Sequence, residues 1–80
     1  MTIQLIHGQF NANEAIEIIT KMIHVKIKYH ENKIADNSNE EDIKNRETKI
    51  KHLQKELFEA RKEMLSTKES LSIDSTINIV

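Results

Sequence analysis

The chain has 80 residues, with 12 Lys or Arg against 13 Asp or Glu, no cysteine, no proline and one glycine. That length allows one domain at most, and a chain so short buries only about 60% of the surface its unfolded form exposes, so a lone core is marginal. The lack of cysteine removes disulfides and thiolate metal sites as supports, the near-balanced charge lacks the one-signed basic patch of a nucleic-acid binder, and no apolar run reaches membrane-spanning length.

Residues 2–7 read T-I-Q-L-I-H, a β-branched run with Ile3 and Leu5 on one face and Thr2 and Gln4 on the other. This predicts a strand. Gly8 follows directly and is expected to end it in a turn with positive φ. The absence of Lys and Arg from the first ten residues denies a secretory signal its charged region, and a cytoplasmic protein is expected.

Asn11 is a good N-cap with Glu14 placed to complete a capping box, and Phe10 stands at the staple position before it. A helix is predicted over residues 12–35. It has two apolar stripes. At 100° per residue Ile16, Ile23, Ile27 and Ile34 fall on one line, while Ile18, Met22, Val25 and Tyr29 fall on another, bridged by Ile19. A surface helix needs one apolar face of about 100°, and this one is apolar over roughly twice that arc. It must be covered from two sides.

Asp36-Asn37-Ser38-Asn39 is a break of residues that favour turns and caps. Ser38 with Glu41 is expected to form a second capping box, with Glu40, Glu41 and Asp42 favoured by the helix dipole. A second helix is predicted over residues 39–68. Ile43, Ile50, Leu57 and Met64 recur every seven residues, with Leu53 and Ala60 between them, the pattern of a helix burying a narrow seam against another, as in a coiled coil. Glu40/Lys44, Asp42/Arg46 and Glu47/Lys51 at i,i+4 read as a solvated outer face. The short connection makes the two helices an antiparallel hairpin. Its seam should contain Ile16, Ile23, Ile27 and Ile34 against Ile43, Ile50, Leu53, Leu57 and Met64.

Over residues 71–79, Leu71, Ile73, Ile77 and Ile79 alternate with polar residues, and Ser75 interrupts the apolar face. A strand is predicted, with a bend or bulge at Ser75. The fold class is therefore mostly α (α+β), a single domain in the order β-α-α-β. The two strands leave the same end of the hairpin and are expected to pair antiparallel and lie against it. Two strands alone are marginal in water and both edges stand open. A second copy of the chain would solve both problems, joining four strands in one sheet and covering Ile18, Met22, Val25 and Tyr29. The competing arrangement is a monomer whose own strands cover that stripe.

Chemistry is poorly represented. His7, His24, His30 and His52 are the only side chains that titrate near neutrality; none has the i,i+4 spacing of a helical zinc site, and all four are expected at surface or boundary positions. No phosphate-binding, zinc-finger, calcium-loop or nucleophile-elbow motif is present. The expected protein is not an enzyme, binds no metal or cofactor, and acts as a structural or protein-interaction module that forms a homodimer, with a further protein partner left open. The alternative is a small dimeric DNA-binding regulator, since strand-helix-helix is the order of the ribbon-helix-helix proteins, whose two-stranded ribbon enters the major groove. Its outer face here would be Thr2, Gln4 and Ile6, with no Lys or Arg beside Gln4 to hold phosphates. Nucleic acid is therefore an unlikely partner.

Overall fold

Asn11 starts the first helix by accepting a hydrogen bond from the Glu14 amide at 2.9 Å, while the Glu14 carboxylate accepts from the Asn11 amide at 3.3 Å. Two of the amides that a helix start leaves orphaned are thereby satisfied. The computed structural model describes all 80 residues. The elements are β1 (Thr2–Phe10), α1 (Ala12–Ala35), α2 (Glu40–Ser66) and β2 (Leu71–Asn78). The β-α-α-β order, the two long helices and the antiparallel strands are those read from the sequence.

The cap of α2 differs from expectation. Asn39, not Ser38, accepts from the Asp42 amide, at 3.1 Å. The Asn37 side chain takes the Asn39 amide at 2.8 Å and also donates to the Asp42 carboxylate. This local ring of Asn37, Asn39 and Asp42 moves the helix start one residue along and leaves Ser38 in the turn.

β1 runs through Gly8 to Phe10, three residues beyond the predicted strand, and no residue of the chain has a positive φ. The expected turn at Gly8 does not exist. Gly8 pairs with Ile73, and Phe10 with Leu71, so the ladder continues because Ile6, Gly8 and Phe10 alternate in phase with the covered residues of β2. The break in register falls instead between Gln4 and Ile6, opposite Thr76 and Ser75. Leu5 is the extra residue of a β-bulge. It faces solvent, and the phase shift turns Ile6 inward with Ile3. The expected pairing of Ile3 with Leu5 on one face is thus corrected to Ile3 with Ile6.

The strands also do not lie back on the helices. The chain is 47 × 33 Å across but only 13 Å deep between Cα atoms. Helices of 24 and 27 residues are about 36–40 Å long, so the hairpin supplies the length. The β-ribbon is splayed to one side in the same layer. The Cα radius of gyration of the whole chain is 15.2 Å, against about 12 Å for a packed 80-residue domain. The exposed area is 6472 Å², where a folded monomer of 9.3 kDa exposes roughly 5,000 Å². Only Ala15, His30 and Leu57 are buried.

Candidate self-association surface

The hairpin seam is the best-covered part of the chain. Ile16, Ile23, Ile27 and Ile34 of α1, with Ile43, Ile50, Leu53 and Met64 of α2, are all half-buried, and Leu57 is buried. Eight of these nine keep part of their surface open.

The seam is not wholly apolar. Arg46 lies seven residues before Leu53 in the same d-type series as Leu53 and Ala60, so it points between the helices rather than along the expected solvated face. Its Nε donates to Asp42 Oδ2 at 3.1 Å, and its Nη1 lies 3.1 Å from His30 Nδ1. His30 is 3% exposed, which corrects its expected surface or boundary position. The reason is angular: His30 falls about 40° from the Ile16–Ile34 line on the wheel, on the side where Arg46 crosses. A guanidinium can only donate, so Nδ1 supplies a lone pair and the imidazole is neutral with its proton on Nε2. Burial, then the charges of Lys26, Arg46 and Lys49, hold the His30 pKa below its ordinary value. Of the other two expected i,i+4 pairs, neither Glu40/Lys44 nor Glu47/Lys51 closes to an ion pair; Glu17–Lys21 does, at 2.8 Å, and it lowers the Glu17 pKa.

The second stripe of α1 stands on the face where Arg46 meets His30. Tyr29 lies edge-on to His30, with ring centroids 5.4 Å apart. Lys26, Lys33 and Arg46 approach the Tyr29 ring at 5.6, 5.8 and 5.9 Å, distances at which a cation is attracted to the ring face. The ring is still 49% exposed, Val25 is 73% exposed, Met22 is also open, and Ile18 is half-buried. Met22, Val25 and Tyr29 are thus left exposed in the single chain.

No protein-family model, curated protein or solved structure matches this chain.

The opposite face of the hairpin carries apolar surface that the periodicity reading passed over. Phe58 and Leu65 are 69% and 63% exposed. They stand beside Leu57 and Ile27 in an open groove of about 800 Å³ between α1 and α2. Their seven-residue spacing repeats that of Leu57 and Met64 about 100° further round α2, on the side a heptad pattern assigns to solvent. The hairpin is thus apolar on both broad faces. No group of three or more His, Asp or Glu gathers in a metal-ligating arrangement, and no helix is long and apolar enough to cross a membrane.

The ribbon bears on the DNA-binding alternative. Its solvent face carries Thr2, Gln4, Leu5, His7 and Gln9 with Ser72, Asp74, Thr76 and Asn78. Neither strand contains Lys or Arg, His7 lies 3.8 Å from Asp74, and the bulge has turned Ile6 away from that face.

Proposed function

We propose that this chain is a non-enzymatic structural and protein-interaction module that pairs with a second copy of itself through Ile18, Met22, Val25 and Tyr29. The observation that carries this reading is the single-layer architecture. Domains bury their apolar faces between two or more packed layers, and here one layer of 13 Å depth leaves roughly 1,500 Å² more surface exposed than a monomer of this mass retains. Obligate homodimers bury about 1,000–2,500 Å² on each partner, so one face-to-face contact accounts for the excess.

Charge supports the choice of face. On the Tyr29 side, α1 presents Lys26 and Lys33, while α2 presents Glu56 and Glu63 with Lys49, Asp42 being paired with Arg46. A two-fold axis that lays α1 of one copy over α2 of the other brings opposite charges together. The seam then works as a short coiled-coil-like unit inside a four-helix assembly. The cysteine-free composition suits a reducing compartment, and the module is assigned to the cytoplasm.

The test is solution mass by light scattering over a concentration series. A mass of twice 9.3 kDa that persists on dilution is expected. A chain that stays at single mass at the highest concentration, with full helical signal, overturns the reading.

A further inference from the structure

The groove around Phe58 lies on the face that such a dimer leaves open. Its apolar lining is Ile27 and Leu57 with the exposed Phe58 and Leu65, and Lys28, Arg61 and Lys62 stand beside them with one carboxylate, Glu31. None of these four charged groups has an ion-pair partner in the chain, whose ion pairs are His7–Asp74, Glu17–Lys21 and Asp42–Arg46. An apolar trough edged by three cations and a single carboxylate, a net charge of +2, is complementary to an apolar stripe edged by carboxylates. We propose that this groove binds an acidic amphipathic helix of a partner protein.

The spacing selects a helix. Phe58 and Leu65 are two turns apart on α2, a rise of about 10.5 Å, which is the separation of residues i and i+7 on a docked helix. Two antiparallel helices also present a lengthwise furrow into which a third helix packs ridge into groove, the mode in which amphipathic segments are taken up elsewhere. A second copy of the chain is the poorer occupant. Placing this face against itself would set Lys28, Arg61 and Lys62 of one copy near the same cations of the other. An extended peptide is better served by the open strand edges of the ribbon than by this groove.

The probes are synthetic helical peptides that share leucines at i, i+3, i+4 and i+7 and differ only in their flanking residues, all Glu in one and all Lys in the other. Fluorescence anisotropy of each labelled peptide is measured against the full chain. The Glu peptide is expected to bind saturably, at least tenfold tighter than the Lys peptide, with an affinity that falls as salt is added. Phe58→Ala and Arg61→Glu should each weaken it at least tenfold while leaving the helical signal, the melting curve and the solution mass unchanged. Equal binding of the two peptides, or binding that survives both substitutions, overturns the proposal. So does a Phe58→Ala chain whose solution mass halves, which assigns the groove to a second copy. Binding to vesicles of anionic phospholipid without binding of the Glu peptide also overturns it, in favour of a membrane surface. Loss of dimerisation in variants of Met22 or Val25 does not bear on this groove, so the two readings fail separately.

Discussion

Arg46 reaches across the hairpin to His30, its Nη1 3.1 Å from the imidazole Nδ1, and joins α2 to α1 through a polar contact in the seam. Asp42 anchors the guanidinium from its own helix, and Asn37 in the turn binds Asp42. A polar row of this kind, half-buried except for the buried His30, holds register when every member is satisfied. It also fixes how the helices stack along their length, since a shift of one turn would leave Arg46 against isoleucine.

That contact makes stability depend on pH. His30 accepts from Arg46 only while neutral, and its pKa is lowered by burial first and then by Lys26, Arg46 and Lys49. The folded chain therefore resists a proton that the unfolded chain accepts, so stability rises with pH across the His range. The contribution is complete above the ordinary value of 6.5, declines as pH falls below it, and levels off beneath the folded value. Melting temperature should drop between about pH 7.5 and pH 5.5. In His30→Gln, whose side-chain oxygen accepts from Arg46 without titrating, that slope should flatten. A variant that melts with the parent's pH dependence sinks the assignment.

Leu5 gives a backbone test. Ile3 and Ile6 are three apart, an odd spacing for one strand face, and the bulge at Leu5 absorbs the extra residue. Deleting Leu5 leaves Ile3, Ile6, Gly8 and Phe10 in uninterrupted alternation, removes an exposed leucine, and should change stability by no more than about 0.5 kcal/mol. Deleting His7 should be tolerated for the same reason, because Ile3, Leu5, Gly8 and Phe10 then alternate without a bulge and Leu5 takes the inward place of Ile6. Cross-strand NOEs between Gln4 and Thr76 report which register survives. Equal damage from both deletions would show that the bulge is required rather than accommodated.

How far the sequence carried the fold depends on range. Asn11 with Glu14, and the heptads of Ile43 to Met64, act within one or two helical turns, and a local pattern suffices to read them. Gly8, Leu5 and Ser38 are misread because each is decided by a competing neighbour: the β2 register for the first two, the Asn37 side chain for the third. Arg46 was legible as a d-position residue but its partner His30, 16 residues away, was not. The Phe58 groove depends on α1 and α2 lying side by side with no third layer, and no single-helix pattern states that. The splayed ribbon is a tertiary outcome that strand propensity cannot predict.

Thr20 is the one side chain whose buried polar atom finds no hydrogen-bond partner. It sits near the Ile16–Ile34 line, beside Glu17, Lys21 and Arg61. An unsatisfied buried hydroxyl costs about 1–3 kcal/mol in desolvation. Thr20→Val keeps the shape and removes the oxygen, and it should raise stability by about 1 kcal/mol in urea unfolding. A loss of stability would mean that the hydroxyl has found water or a carbonyl in solution.

Met22 and Val25 test the proposed pairing most directly, because neither contributes to the seam and both are open in the single chain. Met22→Asp and Val25→Asp should therefore leave an isolated hairpin able to form. In a two-fold dimer each substitution occurs twice. Losing about 1.5–3 kcal/mol of apolar burial at each copy amounts to at least about 3 kcal/mol, more than a hundredfold in Kd. The nearby cations Lys26 and Lys33 soften the penalty of a new carboxylate in the monomer but not in a dry interface. Light scattering should show the parent as a dimer and both variants as monomers at matched concentration, with melting no longer dependent on protein concentration. Phe58→Asp, on the opposite face, should remain dimeric; if it alone dissociates, the two faces of the hairpin have exchanged roles.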